Sequence, residues 1–335
     1  MTALAVAMGV AACGGSSGSG SADSAQAKTI TLYNAQHEAM MKELVAGFTK
    51  ETGIQVNIRS GKDSEMANQI VQEGAASPAD VFVTENSPAM TLVDTKGGFV
   101  KLDEATLAQV PKRYVPSTGN WTGFAARSTV FAYNSKKLTK EQLPASIMDL
   151  AQPQWKDKFG VAAAGADFQA IVSAVLAVKG EAAAAEWLKG LKANAKIYQG
   201  NGAVMKAVNS GEISAGVIYH YYWVNDRAES GANSANTELH YFGNADPGAF
   251  VSVSGAGVLK ASKHQDQAQQ LVKYLTGKNG QQILAEGKSG EYSISADVPT
   301  NAKLKPLSEL SPPELDVAKL NGPKVVELMQ QAGLL

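Results

Sequence analysis

Cysteine is almost missing from this chain. Cys13 is the only one in 335 residues, which excludes an intrachain disulfide framework and any cysteine-cluster metal site. Neither sign of charge prevails: 30 Lys and Arg stand against 31 Asp and Glu. There is no basic run either, so the positive face of a nucleic-acid binder is lacking. Long hydrophobic runs are absent too, since the apolar stretch 1–13 is shorter than the roughly 20 residues that span a bilayer. No fixed period repeats, which argues against a solenoid. From residue 28 onward there is no Gly-x-Ser-x-Gly elbow, no His-Glu-x-x-His and no Walker loop. These absences point away from an enzyme.

What remains is an ordinary globular composition, 44% hydrophobic and 18% charged. Domains of roughly 100–200 residues make two the natural number for this length. The first residues stand apart. Positions 1–12 read as the apolar core of an export signal, without the basic stretch that normally precedes one. Val10-Ala11-Ala12-Cys13 resembles the lipobox of bacterial lipoproteins. That resemblance implies acylation of Cys13 and anchoring of the exported protein to the cytoplasmic membrane, at the cell surface or in a periplasm. Residues 13–27 continue as a Gly/Ser-rich tether that cannot form a core.

The body opens on strand 28–33, rich in β-branched and aromatic residues. Met41, Leu44, Val45 and Phe48 then recur at helical spacing up to Gly53. A strand over 54–58, a helix over 64–73 and a strand over 79–84 follow. Strands separated by helices predict a parallel sheet with crossovers, and ligands in such sheets bind beyond the carboxyl ends of the strands. Those ends carry 34–37, 60–62 and Glu85-Asn86. Further strands are expected at 128–133, 158–162, 214–219 and 249–260. Further helices are expected through Ile171, Val175 and Leu176, over 182–191, over 266–275 with Gly277 as C-cap, and over 324–332. The fold class is α/β, with mixed sheets flanked by helices.

Four side chains at strand ends carry chemistry: His37, Glu85, Tyr221 and Tyr222. Hard, highly charged cations prefer oxygen donors, and tyrosine can ligate iron directly. A free phenol titrates near 10, but a trivalent cation stabilises the phenolate enough to form it at neutral pH. Two phenolates and a carboxylate supply about three negative charges, which balance Fe(III), and the imidazole adds a neutral nitrogen. Neighbouring residues of a strand point to opposite faces. Both tyrosines can therefore reach one ion only if the strand ends near His220.

Over 28–335 the chain resembles the bacterial ferric-ion-binding proteins of ABC importers. The resemblance runs through TLYNAQHE at 31–38, PADVFVTE at 78–85, WKDKFG at 155–160, YYW at 221–223 and DPGAFVSVSGAGVLKASK at 246–263. It implies a two-lobed periplasmic-binding-protein fold of type II with the ligand cleft between lobes. Lobe 1 would hold 28–125 plus 250–300, and lobe 2 would hold 126–249 plus 301–335. His37, Glu85, Tyr221 and Tyr222 match the family's iron ligands. Asn86, Arg127, Gly165, Ala166 and Asn201 match positions around a synergistic anion. Ala164 and Tyr219 replace a serine and an asparagine suited to phosphate, which favours carbonate or another group in its place. The implied partners are an ABC permease with its ATPase and a donor of ferric iron, with the protein itself a monomer that meets the membrane through its lipid alone.

Two rival readings stay open on the sequence. The same fold takes polyamines or thiamine, for which Tyr221, Tyr222 and Trp223 would form an aromatic wall and Glu85 a counter-charge. An enzyme would instead use Glu85 and His37 as a base pair, or be a metal-dependent hydrolase.

Overall fold

The computed structural model describes residues 29–335; the expected signal, Cys13 and the tether lie outside the described residues. The chain runs β1 (Thr29–Ala35), α1 (Glu38–Thr52), β2 (Gln55–Ser60), α2 (Asp63–Glu73), β3 (Val81–Thr84), α3 (Ser87–Thr95), α4 (Glu104–Leu107) and β4 (Trp121–Asn134). It continues through β5 (Phe159–Val161), α5 (Ala166–Lys179), α6 (Glu181–Asn194), β6 (Ala195–Ile197), α7 (Asn201–Ser210), β7 (Ala215–Tyr219) and α8 (His220–Glu229). β8 (Thr237–His240), β9 (Val251–Val258), α9 (Gln265–Thr276), α10 (Lys278–Glu286), β10 (Tyr292–Ser293) and α11 (Gly322–Gln331) complete it.

The strands form one mixed sheet in the order β2-β1-β3-β9-β4-β7-β5-β6, with β8 and β10 both paired to β4. β1 pairs in parallel with β2 and β3, as alternating strands and helices require. β9 then runs antiparallel to β3 and to β4. β4 joins the two halves of the molecule. Its residues Trp121 to Ser128 pair with β9, whereas Thr129 to Tyr133 pair with β7. The sequence places a strand only at 128–133, because Gly123 and the small residues Ala125 and Ala126 weaken the signal ahead of it. A register shift between Gly123 and Ala125 marks that stretch.

Side-chain alternation along the strands sorts residues onto two faces. Ile30 and Leu32 of β1 pack with Met41, Leu44 and Phe48 of α1 and with Leu271 and Leu275 of α9. Val130 and Ala132 of β4 pack with Val204 and Val208 of α7, while Phe131 and Tyr133 face the opposite side. Gly53 ends α1 in the left-handed conformation, φ 73°, a turn that glycine adopts without steric penalty. Gly277 is the C-cap of α9, as expected, in an extended conformation (φ −80°, ψ 166°), and it also opens α10. α3, α7 and α10 are absent from the sequence reading. α3 and α7 follow polar strand ends that resemble loops, and α10 is only nine residues long with its apolar residues Ile283, Leu284 and Ala285 adjacent rather than spaced.

Candidate metal centre

The strand ends and helix starts of both halves converge on one crevice. After β1 the backbone turns through Gln36, braced by Asn34. The Asn34 side chain accepts from the Gln36 N–H at 3.0 Å and donates to the Gln36 carbonyl at 2.9 Å. That turn sets His37 at the N-cap of α1. After β3, the two oxygens of Asp63 accept the backbone N–H groups of Glu85 (2.9 Å) and Asn86 (3.0 Å) and so fix the turn that carries Glu85. Asp63 is buried, and burial raises its carboxyl to about 7 against the opposing effect of those N–H donors.

In the other half, β7 ends at Tyr219 and α8 starts at His220. Tyr221 and Tyr222 therefore lie in a helical first turn rather than on a strand, as a shared ion would demand. Their rings stack with centroids 4.4 Å apart and an interplanar angle of 29°.

The phenols meet the carboxylates edge-on. Tyr221 Oη donates to Glu85 Oε1 at 2.9 Å, and His37 Nε2 lies 3.5 Å from the same oxygen. Asp167, which the sequence reading missed, reaches the same place. Its Oδ2 lies 3.3 Å from Tyr221 Oη and 3.4 Å from Tyr222 Oη. One imidazole nitrogen and four oxygen donors thus gather from β1, β3, α5 and α8. No cluster of three or more His, Cys, Asp or Glu suited to a metal occurs among the described residues. A metal bound here would depend on the phenols.

Two of the residues expected around an anion, Asn86 and Asn201, hold the carboxylate of Asp167. Asn86 donates to Asp167 Oδ1 at 3.1 Å, and Asn201 donates to Oδ2 at 2.8 Å. Gly165 caps α5 and spends its N–H on the Ala162 carbonyl at 2.9 Å, and Ala166 opens the helix directly before Asp167. Tyr219, in place of the asparagine, is buried with its hydroxyl 3.4 Å from both Asn86 Oδ1 and the Asp167 carbonyl. Arg127 does not stand open to an anion. It is fully buried, donating from Nη2 to Glu291 at 2.8 Å and to Ser254 at 2.5 Å, and from Nη1 to the Glu85 carbonyl.

Trp223 leaves the crevice. Its indole N–H donates to the Thr237 carbonyl at 3.1 Å and Arg227 lies over its ring, so no aromatic wall of three forms.

Electrostatics match the geometry. Burial, and then Asp167 and Glu85, push the hydroxyl of Tyr221 well above the usual phenol range, and Tyr222 is raised by burial and Asp167. Glu85 is pushed up to about 8 by burial and by Asp167. Without a cation Tyr221 keeps its proton and donates it to Glu85. A trivalent ion reverses every one of these shifts, because a close positive charge favours each anion. Tyr221, Tyr222 and Asp167 all lie in first helical turns, where the positive end of the helix dipole favours negative charge.

Asp167 carried a sequence signal: it is the single charged residue in the mostly apolar run 159–176. Glu291 sits in a Gly/Ser loop with no such mark, and nothing local links it to His37.

Residues 76–319 match the family model described as bacterial extracellular solute-binding protein. Over 306 residues the chain is 58% identical to an Fe(3+)-binding periplasmic protein of Serratia marcescens, covering 91% of this chain and 90% of the relative. It is 36% identical to the major ferric iron-binding protein of Neisseria meningitidis serogroup B, covering 91% and 93%. The structure resembles iron-bound HitA from Pseudomonas aeruginosa with a TM-score of 0.85 at 43% identity, over 91% of this chain and 99% of that one. The fold is the two-lobed type II arrangement of such binding proteins, and the chain belongs to the bacterial extracellular solute-binding protein family.

Proposed function

We propose that this protein captures ferric iron in the crevice between its lobes and delivers it to a membrane permease of the ABC type. One observation carries the reading: His37, Glu85, Tyr221, Tyr222 and Asp167 bring one nitrogen and four oxygen donors together from both halves of the sheet. The names of the relatives, ferric-iron-binding proteins with no enzymatic role in their titles, agree with it. The iron is cargo, and the protein is a carrier rather than an enzyme.

Asp167 supplies the position that a separate anion would otherwise take. Fixed by Asn86 and Asn201, it makes an added phosphate or carbonate dispensable. With both phenols ionised, four negative charges surround a trivalent ion, and the buried Arg127 lies just beneath Glu85. The lobes, 28–125 plus 250–300 and 126–249 plus 301–335, close on the ion because it binds the closed arrangement more tightly. Cys13, acylated, tethers the exported protein to the cytoplasmic membrane beside the permease and its ATPase.

The test is optical. Ferric citrate added to the metal-free protein should give a red tyrosinate-to-iron band, absent in Tyr221→Phe plus Tyr222→Phe. A colourless wild type, or colour that survives both substitutions, sinks the assignment. For the anchor, mass analysis of the mature N-terminus should find acylated Cys13; an unmodified Met1 on exported protein rejects it.

A further inference from the structure

We propose that Glu291 is a positioning residue that fixes which nitrogen of the His37 imidazole faces the ion, an assignment that rests on the iron-binding reading above. A neutral imidazole carries a proton on one nitrogen and a lone pair on the other, and only the lone pair can bind a metal. The hydrogen bond made by the first nitrogen decides which is which.

Glu291 stands where it can make that choice. Its side chain is fully buried. Oε1 makes no hydrogen bond and lies 3.2 Å from His37 Nδ1 as an ion-pair contact, while Oε2 accepts from Arg127 Nη2 at 2.8 Å and from Gln36 Nε2 at 3.5 Å. A carboxylate offers only acceptors, so Nδ1 holds the proton and Nε2 keeps its lone pair. Nε2 is the nitrogen that points to Glu85 in the crevice. Arg127, with Nη2 2.8 Å from Oε2, supplies the counter-charge that a buried carboxylate needs.

The placement follows from the chain. Tyr292 of β10 pairs with Ala126 of β4, which brings Glu291 beside Arg127. Gly290 turns the backbone with φ 69°, and a side chain there would meet Asn225 and Tyr221 of α8. The Ser289 carbonyl accepts from Asn225 Nδ2 at 2.9 Å. One short turn therefore orients His37 in one half and touches the helix that bears the tyrosines in the other.

Glu291→Gln tests the idea. Arg127 must keep an acceptor, so the amide oxygen stays on the guanidinium and the amide NH2 faces Nδ1. The imidazole proton then moves to Nε2, where it blocks the metal. In the metal-free wild type, 15N NMR of labelled histidine at alkaline pH should find His37 protonated on Nδ1, with the signal assigned by its loss in His37→Gln. Glu291→Gln should shift it to Nε2. Ferric affinity should fall by about 10–100-fold with the red band retained, and should not fall further when Glu291→Gln is added to His37→Gln.

A wild type protonated on Nε2, an unchanged tautomer in Glu291→Gln, or an equal loss of affinity in both backgrounds overturns the proposal. Should Glu291→Gln fail to fold, the wild-type tautomer decides. Wild-type protein that takes up no ferric iron sinks the function itself, a result the tautomer measurement does not imitate.

Discussion

The two halves of the crevice present their donors in different ways. On one side, His37 and Glu85 sit on loops that leave β1 and β3, with 39% and 19% of their side chains exposed. They are held by backbone hydrogen bonds to Asp63 and by Glu291 from behind. On the other side, Tyr221, Tyr222 and Asp167 belong to the first turns of α5 and α8. There the rings stack on each other and two asparagines grip the carboxylate. The helical side is preassembled and supplies three of the four oxygen donors. The loop side is more open to solvent and needs outside support. An ion would therefore meet the tyrosines and Asp167 as a formed half-site and draw His37 and Glu85 onto it.

The largest loss belongs to the helical side. Tyr221→Phe plus Tyr222→Phe should weaken ferric binding by on the order of 1,000-fold or more, ~4 kcal/mol, as read by competition with citrate. Asp167→Ala should follow, at roughly 100-fold or ~2.7 kcal/mol. It should also make affinity rise with added phosphate or bicarbonate, an effect the wild type lacks. If the wild type needs the anion as much as the variant, Asp167 is not its substitute.

The loop side can be probed by pH. Burial and the neighbouring Asp167 push Glu85 up to about 8, against an ordinary 4.5. A carboxyl raised in this way contributes stability that is complete below its unfolded value and is lost as pH rises through about 8. The Tm of the metal-free protein should thus fall by about 2–5 °C between mildly acid and mildly alkaline conditions. Glu85→Gln should flatten that slope, and a slope left intact would show that other groups cause it. Iron binding, which expels the protons, should strengthen over the same range. The smallest effect is expected from Trp223→Phe, which should leave ferric affinity within about twofold, since its indole faces Thr237. A large loss there would return the aromatic wall to consideration.

Much of this was legible in the chain. The period of Met41, Leu44, Val45 and Phe48 marks α1, and its end at Gly53 is written in the glycine. The strand ends that bear His37 and Glu85 follow from alternating strands and helices, and the need for a break at His220 follows from adjacent tyrosines sharing one ion. Asn86 and Asn201, expected as anion contacts, both donate to the carboxyl of Asp167. Asp167 was overlooked because a single acid early in an apolar helix looks like a favourable dipole partner. Glu291 was beyond reach for a different reason. Its neighbours Arg127 and His37 lie 164 and 254 residues away, and only the pairing of β10 with β4 brings them together.

The account turns on where the ion sits. Anomalous scattering at the iron edge, from crystals of the ferric-loaded protein grown without phosphate or added carbonate, locates it directly. One peak should lie at bonding distance from His37 Nε2, Glu85, both phenolate oxygens and Asp167. A peak elsewhere, or one at which Asp167 has turned away and a foreign anion has entered, would contradict the account.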